Sequence, residues 1–211
     1  MGKYIWSVPA FIWIAISRIN MINVPNLLLI GAADRNVGKT ELACTLIKKY
    51  KKQNNVIGIK ITVIKEADGK CPRGGEGCGV CSSLKSKFKI TEELNFEKNK
   101  DTSKMLRSGA LKVYWLRVLA QHLDEGVESL FDEVHKNNSG SLIYICESNS
   151  ARNAIAPGLF LVLKRKGSDY MKESCRKIIG FADKIIEFNN GYNISPELIV
   201  YKGKKWTLED K

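Results

Sequence analysis

Two adjacent segments limit what this chain can fold into: a short apolar run and the glycine- and lysine-containing loop that follows it. Residues 26–30 are NLLLI, and residues 31–40 are GAADRNVGKT. A continuous apolar run of this length is typical of a strand that is buried on both faces. Beyond the loop, Leu42, Leu46 and Ile47 recur at helical spacing, and lysines close the segment as they often close a helix. The sequence therefore predicts a buried strand, a tight loop and a helix in direct succession.

The loop matches the phosphate-binding pattern GxxxxGK[ST] at every fixed position except the first. Gly38, Lys39 and Thr40 complete the pattern, whereas Ala33 stands where its first glycine is expected. Such a loop needs backbone N–H groups that point into a concavity, a helix N-terminus behind them and a lysine that reaches the outer phosphates. We therefore predict nucleotide binding with Mg²⁺. The predicted nucleotide-binding residues are consecutive: Asp34, Arg35, Asn36, Val37, Gly38, Lys39, Thr40 and Glu41.

Strand and helix patterns alternate along the rest of the chain. Further strands are predicted at residues 54–64, 110–118, 141–147, 159–163 and 183–188, helices at 101–109 and 122–136, and a terminal hairpin within 198–208. This alternation predicts an α/β domain with a mainly parallel sheet and helices on both faces, the three-layer fold of P-loop NTPases. In such sheets ligands bind at the carboxyl ends of the strands. We expect a single domain over residues 21–211.

Glu147 ends one of the predicted strands, so its carboxylate should emerge at the sheet edge beside the phosphate loop. A carboxylate there can hold Mg²⁺ through water or orient an attacking water molecule. We therefore predict Thr40 and Glu147 as the magnesium residues, and Lys39 and Glu147 as the catalytic residues. The alternative is that Glu147 only caps a turn or helix. Lys60 and Arg152, at neighbouring strand ends, could contact phosphate or face solvent.

Three cysteines cluster in a glycine-rich insertion at about residues 66–90: Cys71, Cys78 and Cys81 in CPRGGEGCGVC. A CxxC pair can chelate a metal, and nearby glycines free backbone N–H groups for hydrogen bonds to sulfur, which suits either Zn²⁺ or an iron–sulfur cluster. A closed four-cysteine site needs one more ligand. The other cysteines, a residue of a second subunit or an exogenous ligand could supply it: Cys44, Cys146, Cys175. A redox pair and a loop of reduced thiols are the alternatives.

The phosphate loop resembles that of the dethiobiotin synthetases, which also carry an acidic residue five positions before the lysine, here Asp34, and a valine before the glycine, here Val37. A longer resemblance covers roughly residues 25–190. It is to the molybdopterin-guanine dinucleotide biosynthesis B proteins, small GTP-binding adaptors in molybdenum cofactor assembly. Its motifs follow in order along the chain: Lys60 at a strand end, Asp101-Thr102 leading to Gly109-Ala110, and Glu147 at a later strand end.

This resemblance implies a P-loop NTPase that binds GTP or ATP with Mg²⁺, hydrolyses it slowly and acts with a partner protein in molybdenum or other metal-cofactor biosynthesis. We also expect a homodimer. The chain departs from the family where ITVIKEADGK and the cysteines replace the usual histidines, and where Ser148 replaces the frequent glycine after Glu147. We therefore expect a relative that differs from the guanylate-adding adaptor. No [NT]KxD guanine motif follows residues 159–163, so the base stays open between GTP and ATP.

Composition narrows the range of partners. The chain has 211 residues, a formal net charge of +12, 44% hydrophobic and 27% charged residues, as expected for an ordinary globular domain. The positive charge favours polyanionic partners such as nucleotides, nucleic acid or an acidic protein. Because the lysines are scattered and lack interleaved aromatic residues, a nucleic-acid partner is not expected. Two other functions stay open: an ATP-dependent ligase like dethiobiotin synthetase, and a zinc-dependent nucleic-acid-binding module.

Residues 1–20 contain an apolar run that resembles a short signal peptide or membrane anchor. At about 14 residues the run is too short to span a bilayer, and no small-residue cleavage site follows it cleanly. We expect either an upstream extension or a wrongly chosen start codon, which would make these residues non-native, ahead of a domain that begins at Met21. A membrane-touching peptide is the alternative, although a membrane partner is not expected. A cytoplasmic location is expected either way.

Overall fold

The computed structural model describes residues 21–64, 84, 86–96 and 99–209. The strands of its main sheet are β1 Ile22–Ala32, β2 Asn55–Ile64, β3 Phe88–Glu92, β4 Lys112–Leu119, β5 Leu142–Glu147, β6 Ile155–Arg165 and β7 Lys184–Phe188. The helices are α1 Lys39–Tyr50, α2 Asp101–Arg107, α3 Leu123–Asn137 and α4 Glu173–Arg176. A separate hairpin consists of β8 Ile199–Lys202 and β9 Lys205–Leu208, and 3₁₀ turns cover Ala120–His122, Ser150–Asn153, Ile179–Phe181 and Pro196–Leu198.

The main sheet is mostly parallel, as predicted. Its seven strands, counted within the described ranges, lie in the order β3-β4-β2-β5-β1-β6-β7. Every neighbouring pair is parallel except β3 and β4, which are antiparallel at one edge. Ile30 at the end of β1 lies opposite Glu147 of β5, and Glu147 in turn lies opposite Lys60 of β2. The register therefore places the predicted site residues Lys60 and Glu147 side by side on neighbouring central strands, with Glu147 at the carboxyl end of β5 and Lys60 within β2.

Helices pack against both faces of the sheet, as expected for an α/β domain. Successive residues of β1 alternate between two apolar clusters, with Leu27 and Leu29 in one and Leu28 and Ile30 in the other. The first cluster includes the apolar stripe of α3, and the second includes α1, α2 and the β8–β9 hairpin. Among the described residues, no helix is both long and apolar enough to cross a bilayer.

Three strands differ from the sequence prediction. β1 and β6 extend towards their amino-terminal ends because residues 22–24 pair with residues 155–157, and the register shifts between Val24 and Leu28. Pro25, which lacks an N–H donor, lies within that irregularity. β3 was not predicted: its first three residues fall within the proposed insertion, and its partly exposed edge position gives it little apolar signature.

The predicted C-terminal hairpin is present. Gly203 and Lys204 form its turn with φ values of 59° and 63°, the left-handed pair that two-residue hairpin turns favour. Trp206 of β9 is fully buried, and its indole N–H donates to the carbonyl oxygen of Asn26 at 3.0 Å. Its ring packs edge-on against Tyr50, the last residue of α1. The hairpin thus contacts both the first half of β1 and the end of α1.

Candidate functional site

The backbone between β1 and α1 forms a tight loop whose left-handed residues precede the helix. Asn36 and Gly38 have φ values of 54° and 78°. Gly38 leads directly into α1, and no side chain of the described residues caps that helix. The first N–H groups of a helix have no partner within the helix, and together they favour a bound anion. The loop therefore has the backbone arrangement that a phosphate group requires.

Ala33 fits this loop without the freedom of glycine. Its φ is not positive, and its side chain is fully buried in the core on the α3 side of the sheet. Its N–H donates to the carbonyl oxygen of Leu163 at 2.8 Å, and its carbonyl oxygen accepts from the N–H of Lys172 at 3.0 Å. The missing first glycine of the motif is thus replaced by a residue that continues the β1–β6 pairing and packs into the core.

Ala32, the residue before Ala33, is held by a side chain that follows β5, the strand paired with β1. The Asn149 amide accepts from the N–H of Ala32 at 2.8 Å and donates to the carbonyl oxygen of Ala32 at 3.0 Å. A Cβ atom on Gly31 would lie 3.1 Å from both the Asn149 oxygen and the Phe160 ring. Gly31 is therefore needed for close packing, and Asn149 fixes the base of the loop.

Lys39, Thr40 and Glu147, which the sequence placed in the site, meet at the start of α1. The Thr40 hydroxyl donates to Glu147 Oε2 at 2.8 Å, and Lys39 Nζ lies 3.9 Å from Glu147 Oε1. Glu147 is only 7% exposed. A nearly buried carboxylate that faces one hydroxyl and one ammonium group can exchange these contacts for a hydrated cation.

Asp101, the first residue of α2, joins this group although the sequence assigned it no role. It forms an ion pair with Lys60, which lies within β2 and not at its predicted end, because the strand continues to Ile64. Burial alone would raise the pKa of the Asp101 carboxyl, but the hydrogen bond and charge of Lys60, the Thr40 hydroxyl and the charge of Lys104 together lower it. Asp101 is therefore ionised beside Thr40. The available signal was its place in an Asp-Thr pair at the start of a predicted helix.

Lys172 is a second site residue that the sequence did not reveal. Its side chain is half-buried close to Lys39, and burial followed by the charge of Lys39 lowers the pKa of Lys172 to about 8. The charges of Cys175, Asp34 and Glu147 act in the opposite direction. No sequence motif marks this lysine. It lies beside the loop because β6 pairs with β1, which brings the segment after β6 to Ala33.

Two aromatic residues that follow the phosphate loop by some 150 positions support its last glycine. The Tyr192 hydroxyl donates to the carbonyl oxygen of Gly38 at 2.8 Å. A Cβ atom on Gly38 would lie 2.9 Å from the Phe188 ring and 3.0 Å from the Tyr192 oxygen. Burial raises the pKa of Tyr192 above its ordinary range, so its hydroxyl stays protonated as the donor. The end of β7 therefore fixes the backbone that precedes Lys39.

A cavity of about 360 Å³ opens beside Thr40, between α1 and α2. Its lining is mostly polar and carries more cations than anions: Thr40, Glu41, Cys44, Lys48, Lys104, Arg107 and Ser108. Burial raises the pKa of the Cys44 thiol, which keeps this side chain neutral. The cavity is suited to a small anionic molecule next to the phosphate loop.

The other predicted residues take varied positions. Asp34 is half-buried and accepts from the N–H of Arg35 at 2.6 Å, whereas the side chains of Arg35, Asn36 and Glu41 are exposed. The side chain of Val37 is buried in the core, so this residue offers the site only its backbone. Arg152, for which a phosphate contact was left open, donates to the carbonyl oxygen of Ile155 and lies over the Phe181 ring.

The predicted metal ligands Cys71, Cys78 and Cys81 lie outside the described residues. Within the described ranges, no group of three or more histidine, cysteine, aspartate or glutamate side chains could hold a metal ion. Cys146 and Cys175, considered as a fourth ligand, are fully buried in the apolar core, and burial raises the pKa of both thiols. Neither has the exposed, ionised thiol that a shared metal site would need.

A scan against protein-family models and searches of curated proteins and of solved structures find no match to this chain. The chemistry of the site therefore follows from its own residues. They comprise a loop that precedes an uncapped helix, the three lysines Lys39, Lys60 and Lys172, and two carboxylates beside a threonine hydroxyl. Oxygen donors of this kind suit Mg²⁺, and the lysines and backbone N–H groups suit a polyphosphate.

Proposed function

We propose that this chain is a P-loop NTPase that binds GTP or ATP with Mg²⁺ at the loop between β1 and α1. The convergence of Lys39, Thr40 and Glu147 at the start of α1 carries this proposal. A buried carboxylate, a hydroxyl and an ammonium group beside an uncapped helix N-terminus match the requirements of a magnesium-bound phosphate chain. A carboxylate that only caps a turn can stay in solvent, whereas Glu147 is only 7% exposed.

Each residue has a defined task in this proposal. Lys39 and the loop N–H groups hold the outer phosphates. Thr40, Glu147 and Asp101 would hold Mg²⁺ through their oxygen atoms, and Glu147 also orients the attacking water. When bound, Mg²⁺ neutralises charge that develops on the phosphate oxygens. We expect slow hydrolysis, because neither an arginine finger nor a catalytic glutamine is assigned among these residues.

Calorimetric titration with MgGTP and MgATP tests nucleotide binding. We expect wild-type protein to bind, and Lys39→Ala to weaken binding by about 30-fold or more, because removal of a charge from a desolvated pair is costly. Lys52→Ala, at an exposed lysine just beyond α1, is the matched control and should bind like wild type. Absence of binding to either nucleotide by folded wild-type protein would rule out the proposed function.

We further propose that the nucleotide site serves molybdenum or other metal-cofactor biosynthesis in the cytoplasm, as a homodimer that acts with a partner protein. The resemblance in the order of Lys60, Asp101 and Glu147 supports this role, as does their proximity: Lys60 lies opposite Glu147 in the sheet and forms an ion pair with Asp101. In the proposal, Cys71, Cys78 and Cys81 hold an iron–sulfur cluster or Zn²⁺ that the protein delivers or senses.

Anaerobic purification followed by absorption spectroscopy and metal analysis tests the cysteine site. A cluster would give visible absorption and iron, whereas a zinc site would give zinc without colour. Replacing Cys78 with serine should lower the metal content, while Cys146→Ala, at a thiol buried in the core, should leave it unchanged. Metal-free wild-type protein, purified anaerobically, would contradict this part of the proposal.

The cavity beside Thr40 favours a second candidate function, an ATP-dependent ligase that phosphorylates a carboxylate as dethiobiotin synthetase does. A pocket of about 360 Å³ with Lys48 and Lys104 on its wall could hold a small carboxylic acid next to the transferred phosphate. This activity would release ADP from ATP faster in the presence of the acid. Screening mono- and dicarboxylic acids for stimulated ADP release tests it, and equal rates throughout would exclude it for those acids.

A further inference from the structure

The segment after β6 brings a second lysine to the phosphate loop and fixes it there. The Lys172 N–H donates to the carbonyl oxygen of Ala33 at 3.0 Å. The Asn149 amide, which bridges the N–H and carbonyl groups of Ala32, also donates to the Ser174 hydroxyl at 3.3 Å. The segment is therefore hydrogen-bonded to the base of the loop at Lys172 itself and, through Asn149, at Ser174.

The Lys172 side chain occupies an electrostatically unfavourable position in the protein without ligand. Its ammonium group is half-buried, and Lys39 exerts the largest charge effect on it. Asp34 and Glu147 act against this repulsion, but no described carboxylate forms an ion pair with Lys172. Two amines held close together with partial loss of water favour an anion that contacts both.

We propose that Lys172 is a second phosphate-binding residue, whose ammonium group donates to the terminal phosphate of the nucleotide. This inference rests on the nucleotide binding proposed above. Lys39 of a phosphate loop reaches the outer phosphates, so a cation beside Lys39 and Ala33 faces the same groups. Because the second lysine acts on the terminal phosphate, it gives the site a preference for triphosphate over diphosphate.

Binding should be linked to proton uptake at alkaline pH. The groups that face Lys172 are Lys39, Cys175, Asp34 and Glu147. In the protein without nucleotide, the pKa of Lys172 is about 8. Above that pH the free protein loses the proton, whereas contact with phosphate restores the charged form. A phosphate monoester has its last pKa near 6, so the terminal phosphate is fully ionised in this range. Triphosphate affinity should therefore fall as pH rises above about 8.

Calorimetry at pH 7 and pH 9 tests the proposal, with MgATP, MgGTP and MgADP in buffers of different ionisation enthalpy. We expect Lys172→Met to weaken triphosphate binding by about 10- to 100-fold at pH 7, the effect of losing a hydrogen bond from a charged group. Diphosphate binding should change little. Lys172→Arg should keep triphosphate affinity and abolish proton uptake at pH 9, because arginine stays charged. Lys166→Met, at an exposed lysine of the same segment, is the control.

The outcomes separate this inference from the proposed function. If wild-type protein binds no nucleotide, nucleotide binding itself is wrong. If wild-type protein binds but Lys172→Met binds triphosphate equally well, the role of Lys172 is overturned while the function stands. Should Lys172→Met fail to fold, the wild-type measurement decides: triphosphate binding at pH 9 without proton uptake overturns the proposal, and uptake that disappears in Lys172→Arg supports it.

Discussion

Replacing Gly38 with alanine should destabilise the protein through two effects that can be separated. Gly38 has a φ of 78°, a left-handed conformation that costs a residue with a Cβ atom about 1–2 kcal/mol. The new Cβ atom would also lie 2.9 Å from Phe188 Cε2 and 3.0 Å from the Tyr192 oxygen. Both distances are shorter than an ordinary van der Waals contact, so the aromatic rings must move.

The size of the second effect follows from the packing around the two rings. Phe188 and Tyr192 contact each other with ring centroids 5.4 Å apart, and the Tyr192 hydroxyl is held by the Gly38 carbonyl. Forcing an extra carbon atom into such a contact costs about 1–3 kcal/mol. The sum of the two effects is about 2–5 kcal/mol. Since 1 kcal/mol shifts Tm by about 2–4 °C in a domain of this size, Tm should fall by about 4–20 °C.

Gly167→Ala is the matched control for this experiment. Gly167 has a φ of 71°, and a Cβ atom there would meet nothing within 4 Å. Only the backbone cost applies, so its loss of unfolding free energy in urea should be about 1–2 kcal/mol. Equal losses for Gly38→Ala and Gly167→Ala would refute the proposed contact with the rings. Adding Phe188→Leu to Gly38→Ala should recover part of the loss if the contact is its cause.

Three further results are expected. The pKa of Asp101 is lowered from 3.8, so its ion pair stabilises the protein above pH 3.8 and is lost on further acidification. Asp101→Asn should flatten the acidic part of a plot of urea midpoint against pH, and parallel plots for variant and wild type would contradict the ion pair. Trp206→Ala should cost about 3–5 kcal/mol in urea unfolding, because the side chain is fully buried; a loss below 1 kcal/mol would show a detached hairpin. Tyr192→Phe should cost about 0.5–1.5 kcal/mol through loss of the hydroxyl bond to Gly38, and an unchanged urea midpoint would contradict that bond.

Local patterns predicted most of the fold. Apolar runs and helical spacing are properties of neighbouring residues, so the central strands, α1, α2 and α3 were recognisable before their partners were known. The extensions of β1 and β6 were not, because residues 22–24 are held by residues 155–157 and not by any pattern of their own. β3 is likewise defined by its antiparallel partner β4.

The candidate site likewise contains residues that local motifs predict and residues that only the fold brings together. Lys39 and Thr40 follow from a contiguous motif, and Glu147 follows from its place at a strand end. Lys172 reaches Ala33 only through backbone pairing across the sheet, which no spacing in the sequence encodes. Ala33 looked like a defect of the motif, yet its buried side chain and ordinary φ show why glycine is unnecessary there.

The attachment of the C-terminal hairpin has a consequence for how the protein is made. Trp206 donates to a carbonyl oxygen 180 residues earlier, and the Tyr50 hydroxyl donates to the carbonyl oxygen of Ile199, 149 residues later. During synthesis the β1–α1 unit therefore emerges long before the residues that cover its apolar side. Contacts so distant in sequence form late, and the uncovered surface is open to aggregation meanwhile. A chaperone that holds the nascent chain would find its target on this side, and would be displaced when the hairpin docks.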